Sequence, residues 1–240
     1  MIKNYAHRGF KGKYPENTML AFKKAVEEGA DGIEFDIQLS KDGEIVIIHD
    51  ETLDRTTNGT GLVKDYTVKE LIKLNASYNE QKDHGFNPIP TLREYLEYIQ
   101  DKEIISNIEL KNSIIDYDNL EENVLDLISE FKLEDRVLIS SFNHESIMKV
   151  KEINKNIRCG VLTGSWLINP GEYTKSLGVE SYHPSAYSLD KKIITELHNN
   201  EIEVNVWIDY MNFPLEKLID LNVDGIITDN VDQLNKLLKR

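Results

Sequence analysis

The chain has 240 residues and a single cysteine, Cys159. No intrachain disulfide can form, which fits a reducing compartment. No run of about 18 apolar residues is present, so no membrane-spanning helix is expected. The opening residues, Met1 to His7, hold no apolar secretory core. Basic residues are also short: Lys and Arg number 28 against 42 Asp and Glu, for a net charge of −14. That balance argues against a nucleic-acid surface and against adhesion to anionic membranes. It also sets a condition. Any anionic ligand must be met by a local positive site, either a metal ion or a few placed cations. Low-complexity blocks, charge runs and Gly/Ser linkers are missing, so residues 1–240 are read as a single domain. From these absent signals the expected location is cytoplasmic.

The remainder is an ordinary globular composition, 40% hydrophobic and 29% charged, on a chain long enough to bury a full core. A short β-rich run followed by an amphipathic stretch recurs along it. The runs are 4–7, 32–37, 45–49, 104–110, 137–140, 158–162, 179–182, 204–207 and 225–228. Helical patterns lie between most of them, including 20–26, 120–131, 147–153, 193–197 and 215–221, with a closing helix at about 231–238. Strands alternating with helices predict a parallel α/β sheet. Only Gln38 to Glu44 separates the second run from the third, too little for a parallel crossover, and the link contains Asp42-Gly43, a hairpin signal. The third run is therefore the returning arm of a hairpin. Eight parallel strands remain, the number of a (β/α)8 TIM barrel. With Asp42 and Gly43 as the two central turn residues, His49 is expected opposite Asp36. Residues 51–90 carry no strand or long helical pattern and read as an inserted segment or lid.

Ionisable residues concentrate at strand ends, where a barrel places its active site. His7-Arg8 ends the first strand, Glu34-Phe35-Asp36 the second, His49-Asp50 the hairpin arm and Glu109-Leu110-Lys111 the next. In a strand, residues i and i+2 face the same way, so Glu34 pairs with Asp36 and Glu109 with Lys111. Three carboxylates at one barrel mouth repel unless a cation lies between them, and Ca2+ and Mg2+ prefer oxygen ligands. His7 and His49 titrate near neutrality and suit a reaction with one proton donor and one acceptor. Arg8 and Lys111 supply the local positive charge, and Trp207 is either core or a wall against an apolar part of a substrate.

The ordered set Ala6-His7-Arg8-Gly9, Pro15-Glu16-Asn17-Thr18, Glu34-x-Asp36, His49-Asp50, Leu53-x-Arg55-x-Thr57-x-Gly59-x-Gly61, Ile89-Pro90-Thr91-Leu92, Ile108-Glu109-Leu110-Lys111 and Asp224 to Asp229 resembles the glycerophosphodiester phosphodiesterase family from residue 5 to residue 230. The resemblance implies a phosphatidylinositol-phospholipase-C-like barrel that hydrolyses glycerophosphodiesters to sn-glycerol 3-phosphate and an alcohol. It implies His7 and His49 as the general acid/base pair and Glu34, Asp36 and Glu109 as ligands of one divalent cation, Ca2+ or Mg2+, with Mn2+ admitted by the same oxygen chemistry. It further implies Arg8 and Lys111 as phosphate contacts, Trp207 against the glycerol, and residues 51–90 as the family insertion over the site. Which histidine is the acid stays open, as does attack by water against a cyclic phosphate.

Two positions depart from the family pattern. Ile208-Asp209 follows Trp207 where Thr-Val-Asn is common, and Val231 stands where proline is common. Asn17 is expected to cap the helix that follows, and Glu16 to orient a histidine. His183 is a strand-end residue that could line the site, while His84, His144 and His198 read as loop or helix residues and Cys159 as core. The partner is a small-molecule substrate, and a homo-oligomer is compatible with the sequence. Two alternatives remain. One is phospholipase-D-like or lyase action on a lipid phosphodiester such as sphingomyelin. The other is a non-catalytic metabolite-binding barrel.

Overall fold

The computed structural model describes residues 1–208 and 213–240, so Asp209 lies outside the described residues. Among the described residues nine strands form the sheet: β1 (Lys3–His7), β2 (Gly32–Leu39), β3 (Ile45–Ile47), β4 (Ile105–Leu110), β5 (Val137–Ser141), β6 (Arg158–Thr163), β7 (Ser181–Pro184), β8 (Glu203–Trp207) and β9 (Gly225–Thr228). β1 pairs in parallel with both β2 and β9, and the order β1-β2-β4-β5-β6-β7-β8-β9 closes on itself. The result is an eight-stranded parallel TIM barrel. Helices α1 (Met19–Glu27), α2 (Val68–Leu71), α3 (Leu92–Ile99), α4 (Leu120–Phe131), α5 (His144–Ile153), α6 (Pro170–Ser176), α7 (Lys191–Asn199), α8 (Leu215–Leu221) and α9 (Val231–Leu237) complete the chain.

Period-two alternation divides each strand between two environments. Ile33, Phe35 and Ile37 of β2, Ile108 and Leu110 of β4, and Val204 and Val206 of β8 belong to the large apolar core shared with the helices. Phe22, Phe35 and Tyr95 form one aromatic knot there, with centroids 4.4–5.6 Å apart. The alternate residues Glu34, Asn107, Glu109, Ser140, Leu162, Trp207 and Ile227 line the barrel mouth. Helix starts follow local chemistry: Thr18, Thr91 and Asp190 accept hydrogen bonds from the backbone N–H three residues on. The cap of α1 is thus Thr18 rather than Asn17. Asn17 has φ 54° and sends its side chain elsewhere.

The hairpin is present, and its register differs from the expected one. Ile37 pairs with Ile47 and Leu39 with Ile45, and Asp36 O accepts from Ile48 N at 3.0 Å. Asp36 therefore faces Ile48, one residue short of His49. The turn holds three residues, not two: Gly43 N donates to Ser40 O, and Ser40 N donates to Glu44 O. Gly43 sits at φ +82°, the left-handed position that ends a three-residue loop with a bulge. Lys41 is drawn into the turn, and every later pairing shifts by one.

β3 faces two cores. Ile45 and Ile47 enter the main one, while Val46 and Ile48 point the other way into a small second cluster. That cluster is built by the insertion, from Leu53, Val63, Leu71, Ala76 and Ile89. Residues 51–90 hold one helical turn, α2, and a 3-10 turn at Val63–Asp65. The segment is tied by isolated bridges at Thr52–Leu62 and Asn75–Pro88.

Candidate active site

Glu34, Asp36 and Glu109 converge, with one carboxylate oxygen from each lying within 4.8 Å of the others, all buried. Parallel register places them: Asp36 pairs with Glu109 across β2 and β4. At this separation two like charges repel by roughly 3–4 kcal/mol at an effective dielectric of 20. The cluster responds as that repulsion demands. Burial, with the neighbouring Asp36 and Glu109 charges, pushes Glu34 well above the usual carboxylate range. Burial and Asp36 push Glu109 upward too. Asp36 moves the other way: although burial opposes it, the charges of Arg8, His49 and Lys111 hold its carboxyl down.

The donors fit a hard divalent cation. Asp36 Oδ2 accepts from Asn17 Nδ2 at 2.9 Å, yet its buried Oδ1 has no hydrogen-bond partner. Glu34 Oε2 accepts only the backbone N–H of Arg8, at 3.0 Å, among the hydrogen bonds of the described residues. Three oxygen donors with an unsatisfied atom between them suit Ca2+, Mg2+ or Mn2+.

Arg8 and Lys111 flank these acids. Arg8 and Gly9 both take left-handed backbone, φ 55° and 79°, which turns the chain sharply off β1. The Arg8 guanidinium donates to Glu16 at 2.9 Å, and its Nε lies 3.5 Å from Asp36 Oδ2 without a formed hydrogen bond. Lys111 Nζ lies 3.1 Å from Glu109 and 3.3 Å from His49 Nε2. Both cations are therefore ion-paired and remain at the mouth.

The two histidines are each paired with an aspartate. His7 Nδ1 donates to Asp229 Oδ1 at 2.7 Å, and His49 Nδ1 donates to Asp50 Oδ1 at 2.5 Å. A carboxylate only accepts, so both rings carry the proton on Nδ1 and direct Nε2 elsewhere. Burial, helped by the charge of Arg8, lowers the pKa of His7 despite the opposing bond to Asp229. Gln38 holds the second pair in place: its Nε2 donates to the carbonyls of Ile48, His49 and Asp50, and Tyr117 anchors its Oε1.

His7, Arg8, Glu34, His49 and Glu109 surround a cavity of about 150 Å³ whose other wall is apolar: Phe142, Leu162, Trp207 and Ile227. Trp207 meets Phe142 edge to face at 6.0 Å, and its Nε1 donates to the carbonyl of His183.

Comparison with known proteins resolves the lineage. The profile of the Glycerophosphoryl diester phosphodiesterase family matches residues 7–233. The chain belongs to that family. It is 43% identical over 240 residues to a glycerophosphodiester phosphodiesterase of Bacillus altitudinis, spanning 99% of this chain and 98% of the relative. A glycerophosphodiester phosphodiesterase structure from Agrobacterium tumefaciens superposes with TM-score 0.84 at 28% identity, over 98% of this chain and all of that one. A phosphodiesterase from Oleispira antarctica, solved with the product sn-glycerol-3-phosphate, superposes with TM-score 0.86 at 27% identity, over 99% of this chain and 97% of its own.

Within this phosphodiesterase, six of the eight residues singled out from the sequence line the cavity, His7, Arg8, Glu34, His49, Glu109 and Trp207, and Asp36 and Lys111 adjoin it beside Glu109. Others join them without a role read from the sequence. Asp229 closes the quoted motif Asp224 to Asp229; it follows β9 directly and meets His7, the last residue of β1, because β1 and β9 pair. Phe142 gave no signal, since a lone aromatic after a strand has no distinctive neighbour. Glu16 reaches no histidine directly and instead bonds Arg8 and Arg55. His183 is fully buried against Ser181 and Asn205, and burial pushes its pKa down to about 3. His84, His144 and His198 lie outside the cavity, and Cys159 is core.

Proposed function

We propose that this enzyme hydrolyses glycerophosphodiesters to sn-glycerol 3-phosphate and an alcohol, with the chain 1–240 acting as one domain. The observation that carries the reading is the buried triad Glu34, Asp36 and Glu109 beside two Asp-paired histidines in one cavity. Glu34, Asp36 and Glu109 would hold one divalent cation, Ca2+, Mg2+ or Mn2+. When bound, it withdraws charge from the phosphodiester and so lowers the barrier to nucleophilic attack. Arg8 and Lys111 bind the non-bridging oxygens, as a fork and as a point charge. His7, kept neutral by burial, accepts the proton of the attacking hydroxyl at Nε2. His49 Nε2 accepts from the Lys111 ammonium at 3.3 Å; after that nitrogen takes up a proton from solvent and Lys111 turns to the phosphate, the doubly protonated ring delivers the Nε2 proton to the leaving oxygen. Trp207 and Phe142 form the apolar wall against the carbon skeleton and exclude water.

The test is release of sn-glycerol 3-phosphate from glycerophosphocholine, with EDTA and then with added Ca2+ or Mg2+. Activity that needs metal and falls at least 100-fold in both His7→Ala and His49→Ala supports the reading. On glycerophospho-p-nitrophenol, whose leaving group needs no proton, His49→Ala recovers most of its rate and His7→Ala does not. Activity that survives EDTA removes the metal from the proposal, and equal recovery by both variants removes the assigned roles.

A further inference from the structure

We propose that Arg55, a residue of the insertion, is a positioning residue that holds the two halves of the active site in register; the proposal rests on the hydrolytic reading above. Arg55 Nε donates to Asp50 Oδ2 at 2.6 Å, and its Nη2 reaches Asp50 Oδ1 at 3.0 Å. The same guanidinium grips Glu16, Nη1 to Oε2 at 2.9 Å and Nη2 to Oε1 at 2.7 Å. All three nitrogens of one side chain are thus engaged by two carboxylates. Asp50 in turn fixes His49, and Glu16 in turn fixes Arg8. The cavity wall includes His49 and Arg8 but not Arg55, so Arg55 acts only through its partners.

Isolated surface ion pairs contribute little, and Arg55 is partly exposed. Three features separate this case from that rule. Glu16 is buried, at 8% side-chain exposure. The contacts are forked on both sides, which lysine cannot reproduce. And the backbone beneath Arg55 is held rigidly: Asn79 Nδ2 donates to the carbonyls of Asp54 and Arg55, while Leu53 is buried in the insertion's own core. Among the described residues none of 51–90 lines the cavity, so the insertion reaches the site through this side chain. It delivers a guanidinium that sets the ring orientation of His49 and the direction of Arg8 together.

The experiment is a double-mutant cycle on the metal-loaded, full-length enzyme, with glycerophosphocholine as substrate. Arg55→Gln and Asp50→Asn are each expected to lower kcat 10- to 100-fold, the range found when an outer hydrogen-bond partner is removed, with KM within about threefold. The double variant is expected to be no slower than the worse single one, since both changes break the same chain of contacts. Arg55→Lys, which keeps the charge and loses the fork, recovers only part of the rate. The ring 15N shifts of His49 report its proton position, and they move in Arg55→Gln. Multiplicative losses in the double variant, a native kcat in Arg55→Lys, or unchanged His49 shifts each overturn the proposal. If the wild type turns over no glycerophosphodiester, the functional reading fails, and the His49 shifts alone then decide the role of Arg55. If Arg55→Gln does not fold, Arg55→Lys carries the same decision.

Discussion

His183 shows what burial does to a single side chain. It lies inside the barrel with Nε2 between Ser181 and Asn205, its Nδ1 unpartnered, and its pKa near 3. In the unfolded chain the same ring titrates near 6.5. Below that value the unfolded state takes up a proton that the folded state refuses, so stability falls with falling pH by roughly 1.4 kcal/mol per unit. The effect is complete only when pH reaches the folded value. Urea midpoints measured between pH 7 and pH 4.5 are expected to decline less steeply for His183→Gln than for the wild type. Equal slopes would show that the ring is not held neutral. A strand histidine looks identical on paper whether it lines a cavity or lies under one. The register sets His183 beside Leu162 of the mouth, and only the fold shows its ring turned away from the cavity, over Gly160 and onto Ser181 and Asn205. Glu34 with Asp36 and Glu109 with Lys111 were legible because paired ionisable groups at strand ends carry their own direction, i and i+2, whereas Trp207 was read as core or wall and took a role only from the family resemblance. Asp229 stood in a quoted motif without a role and Phe142 in none, because each gains its meaning from a strand distant in sequence.

Among the elements, the hairpin is the instructive one. Asp-Gly announced its existence correctly and its length wrongly, since the same dipeptide serves two- and three-residue turns. What decided was Ser40, whose Oγ accepts from Glu44 N and donates to Asp42, and Asp42 also caps the start of α2 through Val68 N. Asp42 is thus committed to the insertion, and the turn widens around it. Glycine has different reasons to be at each end of this region. A Cβ on Gly43 would meet nothing within 4 Å, so Gly43→Ala is expected to cost only the left-handed backbone penalty, about 1–2 kcal/mol. A Cβ on Gly9 would lie 2.8 Å from the backbone and side chain of Ala21. Gly9→Ala therefore moves α1 or β1 and is expected to cost more than Gly43→Ala and to lower activity as well, because Arg8 is its neighbour. Chemical denaturation of the two variants ranks them. A larger loss from Gly43→Ala would contradict the account.

At the scale of the whole molecule, the barrel is shut by the two ends of the described chain. Asn4, fully buried, donates through Nδ2 to Val231 O and Asn235 Oδ1, each at 2.9 Å, while Asn235 reaches back to Glu28 O. Arg240 pairs with Asp31 and donates to Ile2 O. Asn4→Ala strands the buried Asn235 carbonyl oxygen, and the expected loss is about 1–3 kcal/mol, read from the urea midpoint. A neutral result would place the closure in the apolar contacts of α9 instead. The eightfold alternation of strand and helix made this architecture legible early. The seam itself was not, since no local pattern says that Asn4 and Asn235 will meet.

The His7–Asp229 bond has a bearing on timing as well as on chemistry. Its two ends lie 222 positions apart, and it forms only when β9 docks beside β1. During synthesis, seven of the eight barrel strands can stand on the ribosome with His49, Arg8 and the acidic triad already made, and still lack the aspartate that orients His7. With His7 in its proposed role, the nascent protein is silent until the ring is whole, and the onset of turnover doubles as a clock for the last folding event.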